Sequence, residues 1–175
     1  MKLHNKIDSL EFDNERQINI QYRMEQETMW VRSLLKDDHH DICLDWQIDI
    51  PTHSVLALEG RMDNIPFADC AGALEILKQI NGLEIRVGVK KGFRTRFLKQ
   101  GGCTHITELA LATFDFIIAR VYGPASGDLT EEEKGMRRRQ LASFLCDNNS
   151  CVIFNKENHP CFDEQGRYKD KEYHY

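Results

Sequence analysis

A chain of 175 residues is long enough for one domain with a real core, and 41% hydrophobic with 29% charged residues is the balance of a folded globular protein, which excludes a disordered chain. The longest apolar run is broken by Asp115, which excludes a membrane-spanning helix, and the net charge of -5 argues against nucleic acid as the main partner.

In chain order, residues 1–16 carry no apolar period and read as a flexible lead; with no uninterrupted apolar stretch followed by small residues, no signal peptide is expected. The cytosol is then the expected compartment, where Cys43, Cys70, Cys103, Cys146, Cys151 and Cys161 are expected as reduced thiols. From Gln17 to about Gly60 the pattern is that of strands. "QINIQYRM" and "ETMWVRSLL" are rich in β-branched and aromatic residues, and "DICLDWQIDI" alternates, with Ile42, Leu44, Trp46, Ile48 and Ile50 on one face and Asp41, Cys43, Asp45, Gln47 and Asp49 on the other. "HSVLALEGRM" adds a further strand after Pro51, which gives a meander of three to four antiparallel strands with one wet face.

After Pro66 the period lengthens. "CAGALEILKQI" sets Ala73, Leu74, Leu77 and Ile80 at helical spacing and Asn81-Gly82 is a natural stop. "EIRVGVKKGFRTRFLKQ" predicts a short helix weakened by Gly88 and Gly92. The longest helix is expected at about Thr104 to Tyr122, with Ile106, Leu109, Ala110, Thr113, Ile117 and Val121 along one side. Thr130 and Glu133 form a capping box for a last helix in a C-terminal extension, residues 124–154, and residues 155–175 read as a polar tail. Strands first and helices second is the α+β order, here with the helices packed on one face of the sheet over residues 17–123.

Three turns combine chemically competent side chains: "DDHHDI" with His39, His40 and Asp41, "PFADCAGA" with Cys70, and "GGCTHITEL" with Cys103 and His105. A thiol at a helix start is more readily a thiolate, because free backbone amides and the positive end of the helix dipole face it. Gly101 and Gly102 give the backbone room for close approach to an ion or ligand. His40, Cys70, Cys103 and His105, with Asp41 as alternative ligand or supporting partner, are thus expected as a site for zinc or for iron, including an iron–sulfur cluster. A nucleophile reading competes with it, in which an imidazole activates Cys103. In a third reading the cysteines only pack, as buried thiols usually do, and the cations Arg86, Lys90, Lys91, Arg94, Arg96 and Lys99 with a pocket over the sheet hold an anionic ligand or an acidic protein partner. Cys146, Cys151, His159 and Cys161 are a weaker candidate for a second metal site.

"GGCTHITEL", with the His40-Asp41 pair and the "PFADC" junction, resembles a bacterial family of uncharacterised proteins marked by a Gly-Cys-Thr-His-Leu-Thr-Glu-Leu element, over about Gln17 to Tyr122. The order "HDICLDWQIDI", "FADCAGALEILKQINGLEI", "FRTRFLKQGGCTHITELALATF" also looks, more distantly, like the core of iron–sulfur cluster assembly scaffolds of the NifU N-terminal and SufE-like fold. That likeness implies a curved antiparallel sheet followed by helices, and it equates Cys70 and Cys103 with two of three scaffold thiols. The chain departs from the scaffold pattern at the first position, where it has His40-Asp41, and at the third, where the imidazole follows the thiol as His105.

Overall fold

The computed structural model describes residues 11–86, 88–121, 130, 132, 133, 135 and 136. Four strands form one antiparallel sheet in the order of the chain: β1 Gln17–Glu25, β2 Thr28–Lys36, β3 Asp41–Asp49 and β4 Ser54–Asn64. The loops are short because each strand pairs with its successor, Glu25 opposite Thr28 and Lys36 opposite Asp41. Alternation decides the faces. Ile42, Leu44, Trp46 and Ile48 point into the core with Met29, Val31, Ser33 and Leu35 of β2. The one departure on the outer face is Cys43, only 2% exposed, which lies between Leu34 and Arg61 on the neighbouring strands. Burial pushes its thiol pKa up, and Asp45 adds to this.

Beyond β4 the chain winds over Ala68–Ile80 as a 3-10 helix, tighter than the α-helix that the spacing suggests. Its buried residues, Ala73, Leu77 and Ile80, are among those expected. It packs on β4, where Gly60 is needed: a Cβ there would come within 2.7 Å of Leu77 and 2.9 Å of Leu74. Asn81 and left-handed Gly82 stop it, and Asn81 Oδ1 accepts from the Leu58 N–H at 3.1 Å.

Helix α1, Val89–Leu98, is followed by α2, Thr104–Val121. Helix α2 lays Ile106, Leu109, Ala110, Thr113, Phe114, Ile117 and Ile118 on the inner face of the sheet, and Phe93 and Phe97 of α1 close the core beside it. Phe114 meets Trp46 and Phe93 edge to face, at 5.3 and 5.6 Å between ring centres. The helices therefore cover one face of a four-stranded antiparallel sheet, an α+β arrangement. The Thr130–Glu133 capping box is formed, its two residues bonding each other's backbone N–H groups at 2.8 and 3.3 Å. The rest of the C-terminal extension, the tail and the second cysteine cluster at Cys146, Cys151, His159 and Cys161 lie outside the described residues.

Candidate functional site

The β2–β3 loop and the first turn of α2 meet at one end of the sheet. Asp37 opens the loop, and its Oδ1 accepts from the His39 and His40 backbone N–H groups at 2.9 and 2.8 Å, a carboxylate-closed turn that a short loop ending in Asp-Asp-His-His favours. The same oxygen lies 2.8 Å from His40 Nδ1. Arg16 completes the carboxylate's surroundings: its Nε donates to Asp37 Oδ2 at 2.8 Å, and its Nη1 donates to Glu108 Oε2 at 2.8 Å on the first turns of α2. Burial would by itself raise the Asp37 pKa, but the His39 N–H, His40 and Arg16 together hold the carboxyl well below the usual carboxylate range.

With an ionised acceptor facing it, His40 Nδ1 carries a proton. His40 is only 7% exposed and its Nε2 has no hydrogen-bond partner. A buried ring nitrogen without a partner is unusual.

His105 lies against it, with 3.8 Å between the ring centres and 42° between the ring planes. Burial lowers the His105 pKa, and His40 and Arg16 lower it further, so the ring favours its neutral, basic form. Its Nδ1 sits 3.9 Å from Cys103 Sγ. The half-buried Cys103 immediately precedes α2, its carbonyl accepting from the Thr107 N–H at 3.1 Å and the Thr107 hydroxyl at 2.9 Å. The arrangement is a chain of contacts, Arg16 to Asp37 to His40 to His105 to Cys103, with the thiol at its end.

The turn before Cys103 uses its glycines differently from the clearance expected for an ion or ligand. Gly101 has φ +86°, and a Cβ on Gly102 would fall 2.5 Å from the Phe97 ring and 2.6 Å from the Phe97 carbonyl oxygen. The close approach is thus to the end of α1, and it is what turns the chain sharply enough to bring Cys103 to the start of α2.

Of the five residues expected as ligands, His40, Cys103 and His105 come together. Asp41 begins β3 and faces Lys36 Nζ at 3.8 Å. Cys70 belongs to the 3-10 segment that packs on β4 and α1, while Cys103 and His105 open the helix that packs on β1, β2 and α1. Among the described residues, no group of three or more His, Cys, Asp or Glu side chains is arranged to hold a metal ion. The residues absent from the sequence reading are Asp37, Arg16 and Glu108. Asp37 carried a signal, an Asp three residues before a His in a short loop; Arg16 carried none.

The basic stretch forms the outer side of α1. Arg86 pairs with Glu84 at 3.0 Å and Lys90 pairs with Asp115, while Lys91, Arg94 and Arg96 are exposed. A hollow of about 490 Å3 lies at Arg23, Trp30, Arg32 and Asp45, and none of the described residues 86–99 lines it. No helix among the described residues is long and apolar enough to cross a membrane. A family model described as a protein of unknown function (DUF2889) matches residues 11–118, a span that runs from before Arg16 to beyond Glu108. No curated protein and no solved structure matches the chain.

Proposed function

We propose that this chain, which belongs to the DUF2889 family, is an enzyme that uses Cys103 as a thiol nucleophile and His105 as its base. The observation that carries the reading is the 3.9 Å approach of His105 Nδ1 to Cys103 Sγ, made by a ring whose other side is packed on a carboxylate-fixed imidazole. The Cys103 S–H gives its proton to His105 Nδ1, and the sulfur attacks an electrophilic carbon. An S–C bond forms, the bond to the leaving group breaks, and the leaving group departs with that electron pair and takes the proton from the imidazolium. Asp37 and His40 do not touch the thiol. They hold the His105 ring in place and, through burial and the neighbouring imidazole, favour its neutral form.

A second reading keeps the metal, as zinc or as iron in an iron–sulfur accessory role, on His40, Cys70, Cys103 and His105. It is favoured by the bare Nε2 of a histidine whose other nitrogen is held by a carboxylate, the usual support of a ligating imidazole, and by the likeness to cluster-assembly scaffolds. The residues as placed do not close such a set, so no step is derived through a metal.

The two readings separate in one experiment on protein purified without oxygen: elemental analysis, then iodoacetamide with and without a chelator, with peptide mass spectrometry. The thiol reading expects Cys103 to take one carbamidomethyl group rapidly in both conditions. Stoichiometric zinc or iron, with Cys103 alkylated only after chelation, would replace it with the metal reading.

A further inference from the structure

We infer that two copies of this chain pair through β1, edge to edge and antiparallel about a two-fold axis at Gln21, joining their four-stranded sheets into one. The pairing is independent of the chemistry at Cys103. What points to it is how differently the two edges of the sheet are built.

An edge strand offers a row of unpaired N–H and C=O groups, and folded proteins guard such rows with bulges, prolines, lysines or a covering segment. The β4 edge is guarded. Its pairing with β3 is broken by two register shifts, and the 3-10 helix packs on it. Its first residues are taken by the segment after that helix, where the Val55 N–H donates to the Leu83 carbonyl at 3.0 Å and the Gly82 N–H to the Val55 carbonyl at 2.7 Å. The β1 edge is built without these devices. Its nine residues, QINIQYRME, pair with β2 without a register shift and contain no proline, lysine or glycine. Among the described residues, no strand lies on their other side. All of them except Ile20 are exposed, including Ile18 at 40%, Tyr22 at 39% and Met24 at 46%.

The occupant follows from the strand's own pattern and charge. Gln17, Asn19, Gln21, Arg23 and Glu25 are polar and Ile18, Ile20, Tyr22 and Met24 apolar, so the strand is symmetric about Gln21. An antiparallel copy with Gln21 facing Gln21 opposes all nine residues and keeps both apolar rows on one side. Ile18 then meets the partner's Met24, and Ile20 meets the partner's Tyr22. A slip of one residue would set each apolar row against a polar one. Charge agrees with this register. Arg23 and Glu25, the two charged residues of β1, pair with each other at 2.8 Å, which leaves the edge neutral and gives neither an acidic nor a basic partner a handle. Across the axis Arg23 faces the amide of the partner's Asn19 and Glu25 that of the partner's Gln17, so each charge meets a group that can hydrogen-bond it and no like charges are opposed. A single strand pair is a small interface, and the dimer therefore dissociates on dilution.

Sedimentation velocity of the full chain tests this, in reducing buffer so that no disulfide joins the copies. Wild type should pass from monomer to dimer over about a hundredfold rise in concentration. Gln21 is exposed and faces its own copy, so Gln21→Lys and Gln21→Glu each put two like charges on the axis. Each should weaken association by about fivefold at low salt. Each should leave Tm within about 1 °C of wild type, as expected at an exposed position. Mixing the two variants in equal amounts sets ammonium against carboxylate and should restore association at least to the wild-type level, a rescue that a damaged fold could not show.

A monomer at every concentration, whether the edge stays open or another segment or protein takes it, overturns the proposal. A dimer that neither variant weakens, or that mixing does not restore, has its contact elsewhere and overturns it as well.

Discussion

Asp37→Asn removes one charge from the support of the site without changing its shape. The carboxylate, 8% exposed, accepts from Arg16, from two backbone N–H groups and from His40 Nδ1. An amide keeps one oxygen for the loop N–H groups but turns an NH2 group toward Arg16, so the charge-assisted bonds at 2.6 and 2.8 Å are lost and a guanidinium is left with Glu108 alone. Bonds to charged groups contribute about 1.5–3 kcal/mol each, and two are lost between a buried carboxylate and a partly exposed guanidinium, so we expect a loss of roughly 3 kcal/mol. For a domain of this size that is about 6–12 °C in Tm. Thermal unfolding followed by circular dichroism measures the first effect. The second is chemical: with Nδ1 no longer facing a carboxylate, His40 loses its fixed orientation and His105 its fixed neighbour, and alkylation of Cys103 should slow by on the order of tenfold. A variant with a Tm within about 1 °C of wild type and an unchanged Cys103 rate would refute the whole chain of reasoning from Arg16 to the thiol.

Gly102→Ala must push the fully buried Phe97 ring and the α1 backbone aside, since its Cβ would lie 2.5 Å from the ring and 2.6 Å from a carbonyl oxygen; a loss of about 3 kcal/mol in urea unfolding is expected, with Cys103 displaced and less reactive. Ser33→Ala leaves the buried Trp46 Nε1–H, now bonded to Ser33 Oγ at 3.1 Å, without an acceptor, and should cost about 1–3 kcal/mol while shifting the Trp46 emission. Acid should unfold the protein in two stages. His105 and His53 have pKa values pushed below the ordinary 6.5 by burial, so the unfolded state binds their protons first and stability falls as pH drops below about 6.5. Asp37 is held below the ordinary 3.8, so its contribution is present above that value and is lost only as pH falls further; Asp37→Asn should remove this second stage from a series of Tm against pH.

The sheet was legible because period-two alternation is a local property: β3 shows its inward face in Ile42, Leu44, Trp46 and Ile48, every second residue, and each strand pairs with the next. Chemical type alone brought His40, Cys103 and His105 into consideration. What joins them was not legible. The Arg16 contacts to Asp37 and Glu108 span 21 and 92 residues, and no spacing rule reaches that far. Cys43 stands at an outward position of β3 by period, yet it is buried between side chains of β2 and β4, so its burial is decided by neighbours rather than by its own strand. The 3-10 segment buries residues 73, 77 and 80, steps of four and three that fit an α-helix equally well, and the tighter winding follows from no residue pattern in the segment. The glycines before Cys103 suggest room for an ion or ligand, whereas Gly102 approaches Phe97, which belongs to a helix whose position only the fold sets.

The most direct measurement is competitive. Cys70 and Cys103 are both half-buried thiols of the same chain, so Cys70 is an internal control for Cys103. With limiting iodoacetamide at pH 7 and peptide mass spectrometry over time, Cys103 should be alkylated at least about tenfold faster than Cys70, and His105→Gln should abolish that difference, as expected when general-base assistance is removed. Equal rates at the two thiols in wild type, or a Cys103 rate that His105→Gln leaves unchanged, would contradict the account.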